Sequence, residues 1–200
     1  MMIDIHTHLL PGLDDGAKTL EESIQMCRLS HRDGVKTIVA SPHTLNGLYL
    51  NDRETNKFLL IEFPSHGVPH GAEAALFQLI KRGVTPIITH PERNFEIGQR
   101  PQRFYEMIRT GCLGQVTAMS LTGEFGPKVR QIAEKLTAHC LIHFIASDAH
   151  STNGRPPILS KAVRTAQKIV GEREAIKMVT EFPQAILEGQ RPSVSEPIPF

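Results

Sequence analysis

Short apolar runs and amphipathic stretches alternate along the chain. Residues 2–5 form the first run, followed by a loop containing Pro11, Gly12 and Gly16. Thr19 opens a helix: Glu22, three residues on, completes a capping box, Leu20, Ile24 and Cys27 share a face, and Gly34 stops it. The run VKTIVA (residues 35–40) is short and β-branched, which predicts a buried strand ending in Ser41-Pro42-His43. Residues 44–57 are polar and irregular, and FLLIEF (58–63) predicts another strand. A loop, PSHGVPH, leads to a helix over residues 72–82 that closes at Gly83. TPIIT (85–89) predicts a strand running into His90-Pro91-Glu92-Arg93, and Pro101 suits the first position of a helix that ends before Gly111. A strand over 113–118, a helix over 128–138 and a strand LIHFIA (141–146) follow, the last ending in Ser147-Asp148-Ala149-His150. Two helices are predicted near 159–170 and 172–181, and the proline-rich tail 191–200 reads as loose.

Strands alternating with helices predict an α/β fold with parallel strands, and no linker divides the 200 residues, so one domain is expected. The composition, 40% hydrophobic and 22% charged, is that of a globular protein and argues against disorder. A net charge of +1 gives no reason to expect a nucleic-acid partner or a membrane surface. No apolar run approaches the roughly 20 residues of a membrane span. The N-terminus, MMIDIHTHLL, lacks the basic region of a signal peptide, so a cytoplasmic protein is expected. Cys27, Cys112 and Cys140 are odd in number and widely spaced, which suits reduced thiols better than a disulfide framework.

The ends of the predicted strands carry the chemistry. The first yields His6 and His8, the second His43, the next His90 with Glu92 and Arg93, and the last Asp148 and His150. In parallel α/β folds these C-terminal strand ends face one way, so ligand-type residues far apart in sequence converge. A spacing of two puts His6 and His8 on one face of an extended chain, and Asp148 and His150 repeat that spacing. Asp14 and Asp15 add carboxylates. Mixed imidazole and carboxylate donors suit Mn²⁺, Fe or Zn²⁺ better than Ca²⁺ or Mg²⁺. Arg93 follows His90 by three residues, and Arg155 follows His150 by five and precedes Pro156-Pro157. Either arginine alone reads as surface charge; beside a metal cluster, a planar guanidinium suits a phosphate. His31, His139 and His143 read as structural, while His66 and His70 lie in a loop that could reach a substrate. None of the cysteines has an arginine six residues later, and neither G-x-S-x-G nor a phosphate-binding glycine loop is present.

The segments MIDIHTHLLPGLDDGAKTLEESI, TIVASPH, GVTPIITHPERN and HFIASDAHSTNGRPP resemble the polymerase-and-histidinol-phosphatase (PHP) superfamily. Within it they resemble the bacterial tyrosine-protein phosphatases of capsule and exopolysaccharide operons, the CpsB/CapC/YwqE group. The resemblance implies a distorted (β/α)7 barrel holding up to three metal ions, usually manganese. It implies that His6, His8 and Asp148 hold one ion, His90 a second, and Asp15, His43 and His150 a third, with Arg93 and Arg155 binding phosphate. The implied substrate is phosphotyrosine on the cognate bacterial tyrosine kinase. Such sites use metal-activated water, with the arginines stabilising phosphoryl charge and Asp148 or a nearby histidine protonating the leaving group. One departure stands out. The family's bridging glutamate, in a G-x-E setting, has no counterpart, because Asn51 to Thr55 run almost directly into FLLIEF. A barrel shortened by an internal deletion is therefore expected, with exposed sheet edges. Glu54 and Glu62 are expected to replace the bridging glutamate only if the backbone rearranges. Two other functions stay open: a phosphoesterase for a small sugar phosphate or histidinol phosphate, and a non-catalytic kinase-binding relic.

Overall fold

The computed structural model describes residues 1–43 and 57–200. Among them are β1 (Met2–Thr7), α1 (Leu20–Arg32), β2 (Val35–Ala40), β3 (Phe58–Ile61), α2 (Ala72–Lys81) and β4 (Thr85–Thr89). A single 3₁₀ turn, Pro91–Arg93, precedes α3 (Phe95–Gln99) and α4 (Pro101–Arg109). Then come β5 (Leu113–Thr117), α5 (Ala118–Thr122), α6 (Pro127–Ala138) and β6 (Phe144–Ala146). The chain closes with α7 (Ser160–Val170), α8 (Glu172–Lys177) and α9 (Glu181–Leu187).

All strand pairings are parallel, as the βα alternation predicts: β1 pairs with β2, and β3, β4, β5 and β6 lie in that order. The two sheets meet where β1 and β6 end. Asp148 N donates to His6 O and His8 N to Ala149 O, each at 2.9 Å. The buried Asp4 carboxylate ties the same junction, its Oδ1 accepting from Ser147 N at 3.0 Å and His6 N at 3.3 Å. Burial pushes the Asp4 carboxyl up to about 6. The strand order thus runs β2-β1-β6-β5-β4-β3, and every C-terminal strand end opens on the same side.

The core fills the space between strands and helices with Ile3, Ile5, Ile87, Ile88, Leu113, Val116, Phe144 and Ile145, joined by Phe104, Met107 and Leu136 from the helices. Each such side chain contributes on the order of 1.5–3 kcal/mol when fully buried. β5 is buried at every position, and a Cβ added at its Gly114 would overlap the Leu141 carbonyl oxygen. The backbone leading into β6 runs too close there for any other residue.

The predicted strands are present with shifted ends: β1 runs on to Thr7 and takes in His6, and β5 ends one residue early, at Thr117. β3 stops at Ile61, which frees Glu62 from the ladder, and β6 begins at Phe144, after Cys140 adopts a left-handed backbone (φ 56°). At α1 the Thr19 Oγ1 accepts from Glu22 N (3.2 Å), while the Glu22 carboxylate reaches Lys18 N (3.0 Å), one residue short of a reciprocal box. The short α3 and α5 lack a full amphipathic repeat and were not expected. At the C-terminus Gly171 (φ 84°) separates α7 from α8, and α9 adds a helix where none was predicted. Residues 191–200 make specific contacts: Arg191 Nη1 donates to Gly111 O (3.0 Å), Ile198 N donates to His139 O (2.9 Å), and Phe200 stacks on His139. The irregular stretch with Asn51, Asp52 and Glu54 lies outside the described residues.

Candidate metal centre and phosphate site

The strand ends bring two donor groups together. One is His6, His8 and Asp148; the other is His8, Asp15, His43 and His150, and within each group one ligand atom per residue lies within 4.8 Å of every other. His8 belongs to both. Its Nε2 is 3.3 Å from His6 Nε2 and 3.4 Å from Asp148 Oδ1, and its ring centroid is 3.9 Å from that of His150. Asp15 Oδ1 lies 3.5 Å from both His43 Nε2 and His150 Nε2. His6, His8, Asp148 and His150 are buried, whereas Asp15 and His43 face solvent.

Hydrogen bonds at the far ring nitrogens aim these imidazoles. His6 Nδ1 meets Gln115 Oε1 at 2.9 Å, His8 Nδ1 meets Asp14 Oδ2 at 2.6 Å, and His150 Nδ1 meets the Asp148 carbonyl at 2.8 Å. Each acceptor assigns the ring proton to Nδ1 and leaves the Nε2 lone pair pointing into the cluster, the arrangement metal-binding histidines need. The protonation states differ between the histidines. Burial holds His6 down to about 4 and lowers His150, with Arg155 adding to the latter. Burial works against charge on Asp148, but a hydrogen bond from His8 and the charges of His6 and Arg155 outweigh it and hold the carboxylate well below its usual range. Burial works against charge on His8, but its hydrogen bonds to Asp148 and Asp14 outweigh it and raise its pKa, so a cation there would displace a proton. Imidazoles facing ionised carboxylates are a donor set that fits a divalent cation.

His90 belongs to neither group. Its ring centroid is 6.0 Å from that of His6, and its Nε2 is 3.2 Å from Glu62 Oε1. The other Glu62 oxygen is 3.5 Å from His43 Nδ1. Glu62, expected to take part only if the backbone rearranges, has its carboxylate between His43 and His90, beyond the ends of β2 and β4. The hydrogen bond from His90 holds it down to about 2. The strand-end pattern carries the signal for Glu62, since it follows β3 as His43 follows β2 and His90 follows β4. Gln115, inside β5, carries no such signal because single glutamines on buried strands have no motif. Asp14 divides the work with Asp15, orienting His8 while accepting from His43 N (2.9 Å) and Gly16 N (2.9 Å).

Two of the non-glycine residues with positive φ are in this site, His90 (35°) and Asp148 (52°). Such backbone costs on the order of 1–3 kcal/mol per residue and persists where the surroundings dictate it. Here the turn at His90 redirects the chain into the 3₁₀ segment, which carries Arg93 back over the cluster. Arg93 Nη1 donates to Asp148 Oδ2 at 2.7 Å, and Arg155 Nη2 donates to the same oxygen. Arg155 is set by its own loop, its N donating to Ser151 Oγ (3.0 Å) and its O accepting from His150 N (3.0 Å). Below Arg93, the buried Glu92 accepts from Thr117 N (3.1 Å) and Ser120 Oγ (2.6 Å), which anchors the turn, and burial raises its carboxyl. His66 and His70 are exposed and join neither donor group; His143 is buried and accepts from Gly114 N through Nδ1 (2.9 Å).

A family model described as "Capsular polysaccharide synthesis, CpsB/CapC" matches residues 2–57 and 50–188. The chain belongs to the CpsB/CapC family. Tyrosine-protein phosphatase YwqE of Bacillus subtilis (strain 168) is 34% identical over 236 residues, covering 94% of this chain and 92% of that protein. More distant is tyrosine-protein phosphatase CpsB of Streptococcus agalactiae serotype III, 26% identical with 94% and 98% covered. The fold matches a crystal structure reported with YwqE from Bacillus subtilis and CpsB from Streptococcus pneumoniae, described as unique metal-dependent tyrosine phosphatases. The TM-score is 0.91 and the identity 33%, with 100% of this chain and 99% of that one covered. CpsB/CapC membership agrees with the α/β fold and with the two donor groups able to hold metal ions. No helix among the described residues of this CpsB/CapC chain is long and apolar enough to cross a membrane.

Proposed function

We propose that this chain is a metal-dependent protein-tyrosine phosphatase that hydrolyses phosphotyrosine on a bacterial tyrosine kinase regulating capsule or exopolysaccharide synthesis. The observation that carries the reading is the meeting of two arginines, Arg93 and Arg155, on Asp148 at the edge of a histidine cluster. Guanidinium forks bind phosphoryl oxygens, and imidazoles with carboxylates bind the cations that phosphate-ester hydrolysis uses.

His6, His8 and Asp148 would hold one ion, and Asp15, His43 and His150 another. His90 with Glu62 would serve a third, and Glu62 stands close enough to His43 to link it to the second. Mn²⁺ is the expected metal, with Fe or Zn²⁺ the alternatives that the donor set admits. When bound, such ions supply the Lewis acidity that makes water nucleophilic near neutral pH. The rest falls to the chain's own residues. Arg93 and Arg155 orient the phosphoryl group and offset charge developing on its oxygens. Asp14, Gln115 and the Asp148 carbonyl keep His8, His6 and His150 in the tautomer that leaves Nε2 free.

We read residues 1–200 as one domain on a (β/α) barrel shortened in its middle. In support, the match to the Bacillus subtilis relative runs over 236 aligned positions against a chain of 200 residues, and the family model matches in two stretches that overlap at 50–57. The ends of β2 and β3, the described strands on either side of it, approach each other through His43 and Glu62. A kinase substrate and reduced cysteines fit the cytoplasm.

The deciding experiment compares hydrolysis of a phosphotyrosyl peptide with that of p-nitrophenyl phosphate, histidinol phosphate and a sugar phosphate, with Mn²⁺ added. A preference for the peptide is expected, and replacing His6 and His8 together by alanine abolishes it. Preference for a small ester replaces the substrate. No hydrolysis and less than one metal per chain make the protein a kinase-binding relic.

A further inference from the structure

Phe125 stands at the turn between α5 and α6. Gly126 N donates to Gly123 O at 2.9 Å, closing the turn, and both glycines have positive φ (94° and 96°). That backbone suits glycine. The ring is half-buried, and its centroid lies 5.0 Å from Arg93 Cζ and 5.8 Å from Arg155 Cζ. Among the described residues, no other ring meets two guanidinium groups.

The two arginines otherwise share one partner. Both donate to Asp148 Oδ2, neither guanidinium has another side-chain hydrogen bond among the described residues, and Arg155 Nε is buried without a partner. Asp148 is also a candidate metal ligand, so a bound cation would compete with the arms for it, and each guanidinium keeps N–H donors free for a phosphoryl group. Two guanidinium charges freed from a shared carboxylate repel each other. Phe125 is the common contact that remains, and the negative face of an aromatic ring attracts both cations.

We propose that Phe125 is a positioning residue that holds Arg93 and Arg155 side by side as one two-armed clamp for a phosphoryl group. The proposal rests on the phosphatase reading, but its test does not depend on turnover. Inorganic phosphate is titrated by calorimetry into the Mn²⁺-loaded full chain, wild type against Phe125→Leu and Phe125→Tyr. Leucine keeps apolar bulk and removes the ring; tyrosine keeps the ring. Phe125→Leu is expected to weaken phosphate binding about tenfold. Phe125→Tyr stays within about twofold of wild type, and metal content and melting temperature are unchanged in both. In an Arg93→Ala background the leucine substitution loses most of its effect. Wild-type affinity in Phe125→Leu, equal weakening in both variants, a full leucine effect in the Arg93→Ala background, or no phosphate binding by the wild type each overturns the clamp. Failure of the phosphatase reading looks different: phosphate binds and responds to Phe125, yet no phosphotyrosine is hydrolysed.

Discussion

Glu62 Oε1 lies 3.2 Å from His90 Nε2, so the residue after β3 reaches the residue after β4. Its second oxygen lies 3.5 Å from His43 Nδ1. A carboxylate between two imidazoles is suited to link cations that neither histidine holds alone. Glu62→Gln keeps the shape and removes the charge. It is expected to lower bound Mn²⁺ by about one ion per chain and hydrolysis by 10- to 100-fold or more. Elemental analysis alongside kinetics checks it, and full metal content with full activity would remove Glu62 from the site.

Asp14 is expected to matter without touching a cation. Its 2.6 Å contact with His8 Nδ1 fixes the tautomer of the one histidine shared by both donor groups. Asp14→Asn should weaken metal affinity roughly 10- to 100-fold while the circular dichroism spectrum stays native. Titration of the metal-free protein with Mn²⁺ measures it.

Arg93 and Arg155 are expected to respond to charge and shape together. Removing either as alanine should cost about 1.5–3 kcal/mol of transition-state stabilisation, roughly 10- to 100-fold in kcat/KM. Lysine should restore little, because a point charge does not reproduce a planar fork. Retention of more than half the wild-type kcat/KM in Arg155→Ala would separate that residue from the phosphate.

Gly16 is a packing constraint on the same site. A Cβ there would overlap the carbonyl oxygen and the Cβ of His8. Both atoms belong to a residue held on two sides, so neither can give way cheaply. Gly16→Ala is expected to lose about 1–3 kcal/mol of stability and to displace His8, lowering the melting temperature and the metal content together.

Stability of the metal-free protein should rise with pH between about 4 and 6. Burial holds His6 down to about 4 and His143 to about 3, so the folded state keeps both neutral where the unfolded chain protonates them. Their contribution is present above the unfolded histidine value near 6.5 and is lost as pH falls toward those folded values. Asp4, raised to about 6, runs the opposite way: its contribution is present at low pH and is lost as pH rises toward 6. Near pH 5 these three groups together bind about one proton more in the unfolded chain, a contribution of about 1.4 kcal/mol per pH unit to the slope. Denaturant titrations at several pH values measure it. Replacing His143 with leucine should flatten the slope, at a general cost because Gly114 N loses its acceptor.

The alternation of apolar runs and amphipathic stretches determined the six strands among the described residues, the longer helices and the parallel α/β class. These depend on periodicity and local propensity, which neighbours in sequence carry. His6, His8, His43, His90, Asp148 and His150 were legible for the same reason: each lies at or just beyond the C-terminal end of a strand, and parallel strands end on one side. The short α3, α5 and α9 were not legible, because a single turn holds too few apolar repeats and forms only against its neighbours. Only the tertiary structure decided that Glu62 spans His43 and His90, that Gln115 aims His6, and that Asp14 and Asp15 take different tasks. The Glu62 and Gln115 relations join strands whose spacing in the chain says nothing of their distance in space. The sequence determined which donors gather at the site; packing decided which atom of each one faces the centre.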